Sequence, residues 1–199
     1  MDMRTIEKIE YGRASAVRVF LDKETARELS ERFIAFDTET TGLDPDKDGI
    51  VELGAVAFEK GIPTASFQSY GNPGISIPAE VSALNQITDE MIAAAPAEKD
   101  VYPEFMKFLG NAVTGKTLIC GHVAAFDLSF LCKVLDRLGI EAAFRFVDTR
   151  QLATQIPELE HHSLAAAADY FDIPHDKAHQ AKEDAFTSGR ILLKMLERS

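Results

Sequence analysis

The sequence predicts an α/β domain in which a mixed central sheet is flanked by helices. Three observations carry that expectation. Short apolar runs bounded by turn residues recur through the first half of the chain, as strands buried in a sheet do. The second half alternates strand-like runs with longer segments of helical periodicity. The 199 residues suffice for one domain with a sizeable core and require no second one.

Residues 1–31 read as an accessory segment placed before residues 32–199, which form the main domain. They hold a charged start, a β-like stretch over 14–20, and a helix for which Asp22 is the expected N-cap. Phe33, Ile34, Ala35 and Phe36 then form a strand buried on both faces, which runs into Asp37, Thr38 and Glu39. After the turn-rich stretch TTGLDPDKDG, two strands, IVELGAVAFE and TASFQSY, are joined by a turn around Lys60 to Pro63 and complete an antiparallel meander. Two short helices follow the NPGISIP loop, and VYPEFMKFLGNAV is amphipathic, with Val101, Phe105, Phe108 and Leu109 on one face. TLICG is a buried strand. The helix after it ends at Gly139 and carries Leu128, Leu131, Leu135 and Leu138 on its core stripe. FRFVD is the last strand, and HSLAAAADYF and the segment from Ala181 onward are the closing helices, the second directing Ala181, Ala185, Ser188 and Leu192 inward.

Composition narrows the function classes. No apolar run approaches the roughly 18 to 20 residues needed to cross a bilayer, and the N-terminus lacks the apolar stretch of a signal peptide, so a cytoplasmic location with no membrane partner is expected. Cys120 and Cys132 stand in no CxxC or Cys/His cluster and read as packing thiols. A net charge of −11 argues against a broad basic surface for gripping nucleic acid, but not against an enzyme that meets phosphate through bound cations. The chain ends on its last helix, so no C-terminal tether is expected.

The chemistry starts with the first strand. Side chains alternate along it, so Asp37 and Glu39 project to one side, where their repulsion at roughly 4 Å and an effective dielectric near 20 amounts to about 4 kcal/mol. A divalent cation is the simplest remedy. A turn-capping Asp37 with a solvated Glu39 is the bland alternative for the triplet by itself. Asp127 stands in the first turn of the helix after TLICG, where it benefits from the helix dipole yet adjoins apolar Phe126 and Leu128. Asp184 stands near the start of the last helix, five residues after His179, and a histidine on the preceding loop can curl back over that helix start. A strand end and two helix starts therefore each place an acid where α/β sheets commonly build sites.

FDTETTGL, the acid in GHVAAFDLSFL, and HQAKED together resemble the three motifs of the DEDDh exonucleases, 3′-to-5′ nucleases that include the proofreading epsilon subunit of bacterial replicative DNA polymerase and ribonuclease T. The resemblance runs from about Phe33 to Leu196. Where that family usually has Asn after the His of its second motif this chain has Val123, and an LHGIT-like segment appears as LNQIT.

The resemblance implies a ribonuclease H-like fold, two bound Mg²⁺ or Mn²⁺ ions, and release of nucleoside monophosphates from a 3′ end; the acidic surface, with few lysines or arginines to hold a duplex, points to a single-stranded nucleic acid, with DNA expected before RNA. It also implies that Asp37 bridges both ions, that Glu39 and Asp184 complete one, that Asp127 holds the second, and that His179 is the general base. Thr38, Thr40, Leu43, His122 and Phe126 fall on the substrate side. Leu43, apolar within a polar turn, would wedge against the terminal base and Phe126 would stack on it. Two other readings stay open: a noncatalytic subunit that keeps the fold to bind a DNA polymerase, and a metal-dependent phosphatase acting on small molecules.

Overall fold

In the computed structural model, which describes residues 7–176 and 178–198, seven strands form one sheet in the order β1-β2-β7-β6-β3-β4-β5. The first six residues of the expected accessory segment, together with Lys177 and Ser199 of the expected main domain, lie outside the described residues. The strands are β1 (Lys8–Tyr11), β2 (Ala14–Arg18), β3 (Arg32–Thr40), β4 (Ile50–Glu59), β5 (Ile62–Tyr70), β6 (Leu118–Gly121) and β7 (Ala142–Asp148). The helices are α1 (Lys23–Glu31), α2 (Ala79–Asn85), α3 (Asp89–Ala93), α4 (Glu98–Leu109), α5 (Ala124–Arg137), α6 (Thr149–Ala153), α7 (Leu164–Tyr170) and α8 (Ala181–Leu196).

The expected meander is present. β3, β4 and β5 pair antiparallel, and a two-residue turn with positive φ at both Lys60 and Gly61 joins the last two. β3 extends beyond its apolar residues to Thr40, so Asp37 and Glu39 stand inside a paired strand. β6 and β7 add in parallel on the other side of β3, through crossovers that carry α2 to α5, as parallel neighbours require.

Residues 8–31 add the sheet's other edge. β1 and β2 form a hairpin, β2 pairs in parallel with β7, and α1 buries Leu29 beneath the same sheet. The Asp22 side chain accepts from the Thr25 amide and caps α1, as its position in the sequence anticipates.

Alternation along β3 divides the core in two. Phe33 and Ala35 pack with Phe58, Ala185 and Leu192 on the α8 side. Ile34 and Phe36 pack with Phe105, Leu128 and Leu131 on the α4/α5 side. Phe33 stacks on Phe58 with ring centroids 4.8 Å apart, and Phe36 lies 5.5 Å from Phe105. Each such buried ring contributes roughly 1.5–3 kcal/mol. The helix α8 approaches closely because β4 and α8 each offer a glycine at the contact: a Cβ at Gly54 would overlap the Ala181 and Lys182 backbone, and one at Gly189 would overlap the Phe58 ring. Both cysteines are free and buried, in β6 and α5. Among the described residues no helix is long and apolar enough to cross a membrane.

Candidate active site

The same alternation sorts the acids. Continuing from Phe33 and Ala35, Asp37 and Glu39 face α8, while Thr38 and Thr40 face the α5 side. β6 pairs with β3 only from Phe33 to Ala35, because its chain then turns into α5. The freed edge of β3 is taken by Asp127: the Thr38 amide and hydroxyl both donate to its Oδ1, at 2.9 and 2.7 Å. An acid from one layer is thus fastened at the strand end where two acids point to the other layer.

Asp184 arrives from α8, one turn in, with its side chain held at both oxygens. His175 Nε2 lies 2.7 Å from Oδ1, and the His179 backbone amide donates to Oδ2 at 3.1 Å. His179 has φ +63°, a left-handed conformation that returns the loop over the helix start. Its ring is exposed, and Glu39, His179 and Asp184 each present a ligand atom within 4.8 Å of the others. The curled-back loop histidine expected from the five-residue spacing is therefore realised.

The electrostatics of this cluster follow from burial and crowding. Burial first, then Asp127, Asp184, Glu39 and Glu52, push the Asp37 carboxyl well above the usual range. Burial, then Asp184 and Glu52, raise Glu39 to about 8. Asp127 rises to about 7 because burial outweighs its hydrogen bonds from Thr38. Carboxyl groups raised in this way lack cationic compensation from the protein itself. Four carboxylate side chains, three of them raised in this way, fit hard divalent cations, which prefer oxygen ligands.

The residues expected on the substrate side are dispersed around the acids. Leu43 is 84% exposed at the tip of the loop after β3, which Asp48 closes by accepting from Thr41 Oγ1 and the Asp44 amide. The Thr40 hydroxyl donates to the Gly42 carbonyl at the base of that loop. Phe126, half-buried one residue before Asp127, packs against Phe130 with centroids 5.0 Å apart. His122 is tied within the protein, its Nδ1 3.0 Å from Thr149 Oγ1 and its Nε2 2.9 Å from the His162 carbonyl, and burial pushes its pKa down to about 4.

Two further neighbours of the site, Glu52 and His175, escaped the reading of the sequence, and Asn85 lies in the LNQIT segment already marked there as a departure. Glu52 in β4 is 2% exposed and stands directly across the ladder from Glu39. Its only signal was an acid inside an otherwise apolar strand. His175 bonds Asp184 from a loop, which no periodicity marks. Asn85 in LNQIT faces Glu39 and favours its ionised form. Val123, at the position usually Asn in the resembled family, has φ +69°, a conformation that a β-branched residue rarely adopts and Asn tolerates.

A mixed sheet whose central strand end gathers four carboxylates and a histidine is shared with a known class of enzymes. The chain belongs to the exonuclease family represented by ribonuclease T, whose model, described as Exonuclease, matches residues 34–192. It is 32% identical over 171 residues to the DNA polymerase III subunit epsilon of Aquifex aeolicus, with 85% of this chain and 82% of that protein covered. It is also 32% identical over 176 residues to the PolC-type DNA polymerase III of Caldanaerobacter subterraneus subsp. tengcongensis, and there the match covers 88% of this chain but spans only 12% of the polymerase's length. Among solved structures, the nuclease domain of 3′hExo, a DEDDh family member bound to rAMP, superimposes with a TM-score of 0.72 at 18% identity, over 85% of this chain and 94% of that one. The fold is ribonuclease H-like, as the motifs imply.

Proposed function

We propose that the protein is a metal-dependent 3′-to-5′ exonuclease that hydrolyses the terminal phosphodiester bond of a single-stranded nucleic acid, taken as DNA rather than RNA, and releases nucleoside monophosphates. The observation that carries this reading is the convergence of Asp37, Glu39, Asp127 and Asp184 at one strand end, three of them in environments that resist ionisation without a cation. Asp37, at the centre of the group, would be shared by two Mg²⁺ or Mn²⁺ ions, with Glu39 and Asp184 completing one site and Asp127 serving the other. Such a pair, when bound, activates an attacking water on one side of the phosphodiester and stabilises the leaving 3′ oxygen on the other.

The chain's own groups supply the rest. His179, exposed beside Glu39 and Asp184, accepts the proton of the attacking water, a task suited to an imidazole near neutral pH. His175 and the His179 amide hold Asp184 in place from behind. Leu43 and Phe126 supply apolar surfaces for the terminal base, and stacking on an aromatic ring tolerates any sequence. Thr38 and Thr40 shape the floor between them, and His122, with both ring nitrogens engaged, braces the wall rather than donating to phosphate.

DNA as substrate and a DNA polymerase as partner are supported by the similarity to the epsilon subunit and the PolC-type form of DNA polymerase III. A noncatalytic polymerase-binding subunit is the competing reading, and retention of every acid and the histidine weighs against it. The test compares digestion of single-stranded DNA, duplex DNA, RNA and dinucleotides in Mg²⁺ and in EDTA. Metal-dependent loss of single-stranded DNA ahead of the others is expected. No hydrolysis of any of them in Mg²⁺ or Mn²⁺ would overturn the assignment.

A further inference from the structure

Glu52 is a fifth acid in a site already crowded with four. It lies directly across the β3–β4 ladder from Glu39, an arrangement in which like charges destabilise a sheet, and it raises the carboxyls of both Asp37 and Glu39. A charge buried in an apolar strand persists only where its oxygens are satisfied. Both are: Oε1 accepts from Gln68 Nε2 at 2.6 Å, and Oε2 accepts from the Ala181 backbone amide at 3.1 Å.

Ala181 is the first residue of α8, and its N-cap residue, Gln180, forms no side-chain cap. One of the first-turn N–H groups that α8 leaves without an intrahelical partner, that of Ala181, is met by Glu52, from a strand 129 residues away. The positive end of α8 favours an anion there. Two residues along β4, Gly54 stands opposite Asp37 and leaves room for the Ala181 and Lys182 backbone. One strand therefore supplies both the clearance and the acceptor for the helical turn that carries Asp184.

We infer that Glu52 is a positioning residue: it caps α8 from β4 and so sets where Asp184 stands against Asp37 and Glu39, without itself holding a cation. Its two oxygens are directed at Gln68 and Ala181, whereas the ligand atoms of Glu39, His179 and Asp184 converge on one another. The metal-binding half of this proposal rests on the function proposed above; the helix-capping half does not.

Two substitutions separate shape from charge. Glu52→Gln keeps an acceptor for Ala181, and a flipped Gln68 amide restores the second bond. Glu52→Ala removes both. Hydrogen exchange at the Ala181 amide is measured in metal-free protein, and Mn²⁺ affinity by calorimetry. Glu52→Gln is expected to leave both within about threefold, while Glu52→Ala speeds Ala181 exchange by about tenfold or more and weakens Mn²⁺ binding by about 10- to 100-fold. Should the alanine variant not fold, Glu52→Asp, whose carboxylate falls one bond short of Ala181, is expected to give the same two changes in weaker form. Unchanged Ala181 exchange in the alanine or aspartate variant would overturn the cap. Equal loss of Mn²⁺ affinity in the glutamine and alanine variants would overturn positioning in favour of a direct role for the charge. If the unsubstituted protein binds no Mn²⁺ while Ala181 exchange still depends on Glu52, the metal site fails and the cap stands.

Discussion

Raising the pH of the metal-free protein is expected to destabilise it, and a divalent cation is expected to cancel the loss. Glu39 is carried by burial, and then by Asp184 and Glu52, from 4.5 to about 8, and Asp127 is carried by burial from 3.8 to about 7. Unfolding returns both to ordinary values. Between the two values the folded chain holds protons that the unfolded chain has released, so this stabilisation is complete below the unfolded pKa and is lost as pH rises through the folded one. Between about pH 6.5 and 8.5 the loss integrates to about 2 kcal/mol for Glu39 and about 1 kcal/mol for Asp127. His122 acts oppositely, because burial depresses it to about 4; the unfolded imidazole is half-protonated at about pH 6.5, so His122 offsets only about 0.4 kcal/mol of the loss across this window. At about 2–4 °C per kcal/mol for a chain of this size, the melting temperature in EDTA should fall by roughly 6 to 12 °C across the window. Mn²⁺ at about 100 times its dissociation constant at the lower pH should add roughly 2.7 kcal/mol there, and the same concentration should add more at the upper pH, where binding is tighter because no proton has to be displaced. Glu39→Gln should flatten most of the slope. Circular dichroism melts at both pH values, with EDTA and with Mn²⁺, measure all of these. A metal-free protein as stable at the upper pH as at the lower would refute the uncompensated carboxyl cluster.

Three other substitutions test separate parts of the site. His179→Ala should lower turnover by about 10² to 10⁴ and leave Mn²⁺ binding largely intact, as steady-state kinetics and calorimetry would register; near-full activity would reduce His179 to a loop residue. Val123→Asn should raise stability by about 1–2 kcal/mol in denaturant melts, since Asn tolerates the left-handed backbone and its side chain can cap α5; a destabilised variant would show that Val123 packing outweighs the strain. Phe126→Ala should raise the Michaelis constant for single strands more than it lowers turnover, removing stacking worth about 1–3 kcal/mol; an effect on turnover alone would remove Phe126 from the base-binding surface.

Local chemistry made much of this arrangement legible in the sequence. The paired acids on one face of β3 follow from strand alternation, and Asp22 announced its cap. The stripe of Leu128, Leu131 and Leu135 placed α5 and, with it, Asp127, and all three leucines are buried. What stayed hidden depends on contacts distant in sequence. β1 and β2 are short, and only the pairing of β2 with β7 makes their hairpin the edge of the sheet. α6 begins directly at the end of β7 under a cap from Asp148, with no intervening turn to announce it. Glu52 reads as one polar interruption of an apolar run until Ala181 is seen to donate to it. His175, four residues before the motif histidine, acquires its role solely because the loop folds back onto Asp184.

The most direct measurement is a time course on single-stranded DNA labelled at its 5′ end, in Mg²⁺ or Mn²⁺, with Asp37→Asn beside the unsubstituted protein. A ladder that shortens stepwise from the 3′ end, releases mononucleotides, and vanishes in EDTA and in the variant is expected. Internal cuts, shortening from the 5′ end, or equal activity in Asp37→Asn would contradict a two-cation 3′-to-5′ exonuclease centred on Asp37.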